Sequence, residues 1–382
     1  MYNIAEYGLM IGDKVRMSAY TEALRQAVKS GSVVLDLGAG TGIFALLACR
    51  FGARRVYALE PNDAIQAARE IAAANGNAER IEFIQGLSNE VTLPEPADIV
   101  ISDLRSVLPL FRYHLPTIAD VRKRLLAPGG VLIPRCDTLW AGVVEAPELY
   151  NRYIAPWDSL DYGLDMQAAR RIVTSTWFKS RPKAEQLLVE PQCWATLDYA
   201  AAENPNVSAE ITWTAARAGT AHGLIVWFDT VLAEGISFSN APGAPQVIYG
   251  SAFFPWPAPI TLAAGDTVSV TLEANLVGED YIWRWNTFVL NQDRPRQLKA
   301  NFKQSTFFSG AVSLERLRKR AASYVPTLSE DGQINQFILA LMDGKTSLDE
   351  IAHRVSTQFP ARFANWQEAL TRVGSLSGTY SR

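Results

Sequence analysis

Three glycines at alternate positions, Gly38, Gly40 and Gly42, follow the apolar run at 33–37, and Glu60 closes the next run at 56–59. Glycines in that rhythm let a backbone turn tightly and come close to a ligand. An acid at the end of the neighbouring strand is placed to accept hydrogen bonds from ribose hydroxyls. Asp36 sits one turn earlier, as a cofactor contact or as a cap for the helix that follows. A second group lies downstream: Asp103, just after the run at 99–102, then Arg105, Arg112 and His114. These side chains could do the chemistry. Guanidinium groups would orient an anion, and an imidazole could take a proton from an amine or hydroxyl. The plainer readings are a solvated charged loop and a structural histidine.

The elements that must hold these residues alternate in the first third of the chain. Apolar runs at 33–37, 56–59, 81–85, 99–102 and 131–133 are mostly separated by helical stretches such as 64–75 and 115–125. Alternation of this kind predicts a doubly wound α/β domain with a parallel sheet, whose ligands bind at the carboxyl ends of the strands. Leu126-Ala127-Pro128-Gly129-Gly130 reads as a helix stop and a tight turn into the last strand. Beyond Pro134 the runs at 207–214, 222–231, 247–254 and 267–273 are rich in Val, Ile, Thr, Trp and Phe, with Pro- and Gly-containing turns between them. This texture predicts an antiparallel sandwich or barrel. Residues 149–185 read as helical and ill suited to either core, hence as an interaction arm. From about Leu314 the pattern turns helical again, predicting a small helical or winged-helix-like appendage.

The expected domains are therefore 1–135, 136–311 with its arm at about 149–185, and 312–382. The 382 residues carry a net charge of −3, which gives no electrostatic case for nucleic-acid binding. Cys49, Cys136 and Cys193 lack the spacing of a metal site or a disulfide framework, and no metal is expected. No apolar run is long enough to span a bilayer, and no basic-then-apolar leader is visible, so no membrane partner and a cytoplasmic location are expected.

The loop Asp36-Leu37-Gly38-Ala39-Gly40-Thr41-Gly42 has the pattern of S-adenosylmethionine (SAM) methyltransferases rather than the G-x-G-x-x-G of NAD enzymes. Further motifs make the chain resemble the protein arginine N-methyltransferases over roughly residues 10–289. The segment from Met10 to Tyr20 resembles the family's M-L-x-D-x-x-R-x-x-x-Y. Tyr162-Gly163-Leu164-Asp165-Met166 resembles the Y-G-F-D-M of its dimerisation arm, and Leu187-Leu188-Val189-Glu190-Pro191 its L-x-x-E-P. His222-Gly223-Leu224-Ile225-Val226-Trp227-Phe228-Asp229 matches its H-G-x-x-x-W-F-D. The resemblance implies a class I, Rossmann-like SAM domain followed by a β-barrel, a peptide or protein substrate and a homodimer. SAM would be the cofactor and S-adenosylhomocysteine its product. The implied cofactor contacts are Met10, Arg16, Asp36, Gly38, Gly40, Gly42, Glu60, Leu87 and Ser88, with Arg16 on the SAM carboxylate.

The chain departs from the family where its substrate is gripped. In place of the family's two glutamates stand Asp103 and, counting back from Leu126-Ala127-Pro128-Gly129, Arg112; its T-H-W becomes Val247-Ile248-Tyr249. Replacing two acids by one short acid and adding Arg105 and Arg112 reverses the loop's charge. Such a loop should repel arginine and could attract an anion. The acceptor the resemblance implies is arginine, and the loop's charge suggests a carboxylate in its place, with Asp103, Arg105, Arg112 and His114 as the catalytic, acceptor-side residues. Leu341 to Ala352 in the appendage resembles small peptide-binding modules of the PqqD type, which hold leader peptides. Two other functions remain open: a non-catalytic scaffold with a methyltransferase fold, and a small-molecule methyltransferase.

Overall fold

The computed structural model describes residues 3–158, 163–292, 297–311 and 313–381. Its contacts divide the chain into two units, Met1–Ala311 and Val312–Arg382.

The first unit opens with α1 (Ile4–Gly12) and α2 (Lys14–Ala27), then β1 (Val33–Leu37), α3 (Ile43–Arg50), β2 (Arg55–Leu59), α4 (Ala64–Ala74), β3 (Ile81–Ile84), β4 (Ala97–Ser102), α5 (His114–Arg124) and β5 (Leu126–Ile133). The five strands form one parallel sheet in the order β3-β2-β1-β4-β5. Every residue of β1 is buried, which explains why it reads as an unbroken apolar run apart from Asp36. The chain reverses direction across the sheet at β1 and β4. A crevice therefore opens between the carboxyl ends of these two strands, and Asp36 and Ser102 lie on either side of it. One expectation needs correcting. Ala127-Pro128-Gly129-Gly130 lies within β5 rather than in a turn before it. The register jumps from Ala97↔Leu126 to Ile99↔Val131, and Gly129 takes φ 76° in the resulting bulge.

Two antiparallel sheets follow. β6 (Cys136–Val144), β7 (Phe178–Ser180), β8 (Gln192–Asp198), β10 (Gly219–Ala233), β11 (Ile236–Ser239) and β12 (Ser251–Leu262) make one, in the order β7-β12-β10-β6-β8 with β11 added to β10. β9 (Val207–Thr214), β13 (Thr267–Val277), β14 (Asp280–Leu290) and β15 (Leu298–Ser305) make the other, in the order β15-β14-β13-β9. β14 alternates inward Tyr281, Trp283 and Trp285 with outward residues, so that aromatic cluster is core. The arm contains α6 (Pro147–Tyr153) and α7 (Gln167–Thr174) but also β7, which pairs with β12. Tyr162, in its quoted motif, falls outside the described residues.

The second unit holds α8 (Leu314–Lys319), α9 (Glu330–Ala340), α10 (Leu348–Gln358) and α11 (Trp366–Tyr380). Ile334, Ile338, Ile351, Val355, Ala369 and Val373 form its own core. Ser329, Ser347 and Asn365 cap the last three helices through their side-chain oxygens. Among its described residues no strand is present, so the expected appendage is helical without a wing.

Candidate functional site

The glycine loop is built from the backbone outward. Gly38, Gly40 and Gly42 all take left-handed φ values, 76°, 54° and 79°. A Cβ at Gly40 would overlap the ring of Tyr7, so only glycine lets α1 lie across the loop. Gly40 donates its N–H to Glu60 Oε2 at 2.8 Å, and Asn62 N–H reaches Oε1 at 2.9 Å. Each Glu60 oxygen keeps a further lone pair for a ligand hydroxyl. Asp36 is fully buried; its Oδ2 accepts from Ala45 N–H at the start of α3, 2.9 Å away, and its Oδ1 has no partner among the described residues. Both roles suggested for this residue are thus compatible with its position: it caps α3 and keeps an oxygen in reserve. Burial pushes its carboxyl up to about 7, against the Ala45 hydrogen bond. Ser88 is buried after β3, whereas Leu87 beside it is half exposed.

On the acceptor side a chain of buried charges runs from the parallel sheet into the antiparallel one. Asp103 Oδ2 accepts from Arg16 Nε at 2.6 Å and pairs with Nη2 at 2.6 Å; it also accepts from the Tyr249 hydroxyl at 2.5 Å. Asp103 Oδ1 faces Arg105 Nε at 3.2 Å. Arg105 Nη1 then reaches Asp137 Oδ1 and Thr230 Oγ1, each at 2.8 Å, and its Nη2 meets the Tyr20 hydroxyl. Tyr199 closes the chain, donating to Asp137 Oδ2 at 2.5 Å. Burial alone would raise the Asp103 carboxyl, but Arg16 and Arg105 outweigh it and hold the group below the usual carboxylate range.

The structure brings Asp103, Arg105 and Arg16 together and leaves Arg112 apart. Arg112 is exposed, at φ 42°, with its guanidinium 5.3 Å from the Phe111 ring centroid. Arg16 also bonds the Met10 carbonyl at 3.2 Å, which is how Met10 enters the site. His114 is buried at the start of α5, where its Nδ1 donates to the Pro109 carbonyl at 2.8 Å. Burial lowers its pKa, with the Pro109 bond acting in the other direction. Ile248, where the family has histidine, contributes only backbone: its N–H donates to Asp13 Oδ2 at 2.6 Å, while Asp13 Oδ1 caps α2.

Reading the sequence passed over Tyr20, Asp137, Tyr199, Thr230 and Tyr249. Two of them lay inside segments already matched to the family. Asp137 had its own signal, an acid at an inward position of β6, where an unpaired charge would be costly.

Residues 136–285 match the family model described as the arginine methyltransferase oligomerization subdomain, and 17–133 match that of ribosomal protein L11 methyltransferase. Over these segments the chain is similar to the protein arginine methyltransferases. Among its relatives is probable protein arginine N-methyltransferase 6 of Arabidopsis thaliana, 29% identical over 245 residues, covering 62% of this chain and 55% of that protein. Protein arginine N-methyltransferase 1 of Dictyostelium discoideum is 27% identical over 272 residues, covering 69% and 80%. The chain thus spans little more than half the length of the first relative. In fold it is similar to the Trypanosoma brucei protein arginine methyltransferase 1 enzyme–prozyme heterotetrameric complex with AdoHcy, at TM-score 0.72 and 22% identity, covering 79% of this chain and 98% of that one. Arabidopsis thaliana protein arginine methyltransferase 10 gives TM-score 0.69, also at 22% identity, with 79% and 97% covered.

Proposed function

We propose that this chain is a SAM-dependent methyltransferase acting on a peptide or protein. The observation that carries the reading is the Glu60 carboxylate bonded to Gly40 N–H at 2.8 Å, at the carboxyl edge of the parallel sheet. Left-handed glycines, an acid with lone pairs to spare and the unpartnered Asp36 Oδ1 suit a nucleoside with hydroxyls to bind. SAM, when bound, supplies an electrophilic methyl group on a sulfonium sulfur. The chain's own residues bind, align and exclude water. Tyr7 on α1 covers the glycine loop, and Arg16 on α2 ties the Met10 carbonyl to Asp103. We read Met10, Arg16, Asp36, Gly38, Gly40, Gly42, Glu60, Leu87 and Ser88 as the cofactor side.

Peptide or protein acceptors are supported by the relatives' names, protein arginine N-methyltransferases. A carboxylate acceptor would need no general base, since its oxygen is already nucleophilic; Arg112, exposed on the loop and without an ion pair among the described residues, is a guanidinium that could orient it. His114, buried against the Pro109 carbonyl, is poorly placed to work as a base. We further propose a homodimer through the region 149–185, in keeping with the oligomerization subdomain model, and a cytoplasmic location.

Calorimetric titration with S-adenosylhomocysteine tests the cofactor reading. Tight, saturable binding is expected, weakened roughly 10- to 100-fold by Glu60→Gln, the usual worth of a hydrogen bond to a charged group. No heat of binding at all would favour the scaffold alternative.

A further inference from the structure

We infer that Arg105 sets the charge of the acceptor: it is a guanidinium built into the protein that occupies the site's carboxylates and closes them to a guanidinium from outside. The inference rests on the methyltransferase reading and narrows its substrate class to an uncharged or anionic nucleophile.

Everything around Arg105 is what guanidinium recognition requires. Its side chain is fully buried, with Asp103 on one edge of the fork and Asp137 on the other. The centroids of the Phe228, Phe238, Tyr249 and Tyr20 rings lie 5.1, 5.5, 5.6 and 5.9 Å from its Cζ. Carboxylates for the fork and ring faces for the plane together make a cation site, and the protein's own side chain fills it.

The lone-pair count at Asp103 makes the exclusion concrete. Oδ2 serves Arg16 and Tyr249, and Oδ1 serves Arg105. What remains on Oδ1 allows a single hydrogen bond, too little for the bidentate grip that holds a guanidinium. Charge points the same way, because Arg16 and Arg105 cancel Asp103 and Asp137. A cationic acceptor would approach two guanidinium groups with no net negative charge to draw it in. A hydroxyl, a carboxylate or a neutral nitrogen meets no such repulsion.

Chemical rescue tests this. Arg105→Ala leaves Asp137 buried without its cation, so its melting temperature should fall by roughly 5–10 °C. Millimolar methylguanidinium chloride should restore much of that loss, tetramethylammonium chloride at equal concentration should not, and the unaltered protein should respond to neither. Rescue by both cations or by neither overturns the inference. Should Arg105→Ala fail to fold, the unaltered protein incubated with labelled SAM and an Arg-Gly repeat peptide decides: no methylarginine is expected, and its appearance overturns the inference. S-adenosylhomocysteine titration is read separately. Rescue without cofactor binding would leave the Arg105 site standing and remove the methyltransferase reading, whereas cofactor binding with arginine methylation would do the reverse.

Discussion

Asp103 is the residue on which two cations converge, and the cost of losing it follows from that. Asp103→Ala strands Arg16 in a buried setting and leaves Arg105 to Asp137 alone, and should destabilise the protein by about 3–5 kcal/mol, read as a lowered urea midpoint. Arg112→Ala, at an exposed position without an ion pair among the described residues, should leave the midpoint unmoved. Asp36 gives a pH signature of its own. Its folded pKa, pushed up to about 7 by burial, stands above the unfolded value of about 3.9. Its contribution to stability is therefore complete below about pH 4 and is lost as the pH rises through 7. Asp36→Asn should flatten that part of the profile, so the variant's unfolding midpoint should decline less than the parent's between pH 5 and 8. Residues on the cofactor side were legible because their signal is local: Gly38, Gly40, Gly42 and Glu60 are spaced by one strand-turn-helix-strand unit. Arg105 was visible only as a charge. That it turns inward depends on Asp137 and Thr230, 32 and 125 residues further on, and no local pattern carries that.

Among the elements, α1 has little support of its own. None of its residues is buried, and Ile4 and Leu9 are largely exposed. Its hold on the sheet includes the Tyr7 ring lying on Gly40. Gly40→Ala should push that ring away and loosen the helix, and limited proteolysis should then cut within residues 3–12 faster than in the parent protein. The parallel strands were read well, because burial on both faces imposes unbroken apolar runs. Of the antiparallel ones, the runs at 207–214, 222–231 and 267–273 fall on β9, β10 and β13, the run at 247–254 starts four residues before β12, and β6, β8 and β15 were missed. The bulge in β5 was missed because Pro128, Gly129 and Gly130 are also what a turn requires. The arm was read as wholly helical; only 3 residues of it, Phe178–Ser180, pair as β7, too short a stretch for alternation to show.

At the scale of the molecule the division after Ala311 has a direct consequence. Because the second unit has its own core, a chain ending at residue 311 should fold and bind S-adenosylhomocysteine with the affinity of the full chain, checked by calorimetry on both. The order of a parallel sheet, an arm and antiparallel strands was legible from texture alone, since each architecture imposes its own periodicity. What joins the first two was not. Asp103 and Arg105 come from the loop after β4, Asp137 and Thr230 from β6 and β10, and the salt bridge between Arg105 and Asp137 is sealed from water on both sides. That buried rivet limits how the molecule can be rearranged by engineering. A chimera that swaps in the antiparallel half of a relative lacking an acid at position 137 would orphan a cation at the seam, so the two halves must be exchanged as a matched pair.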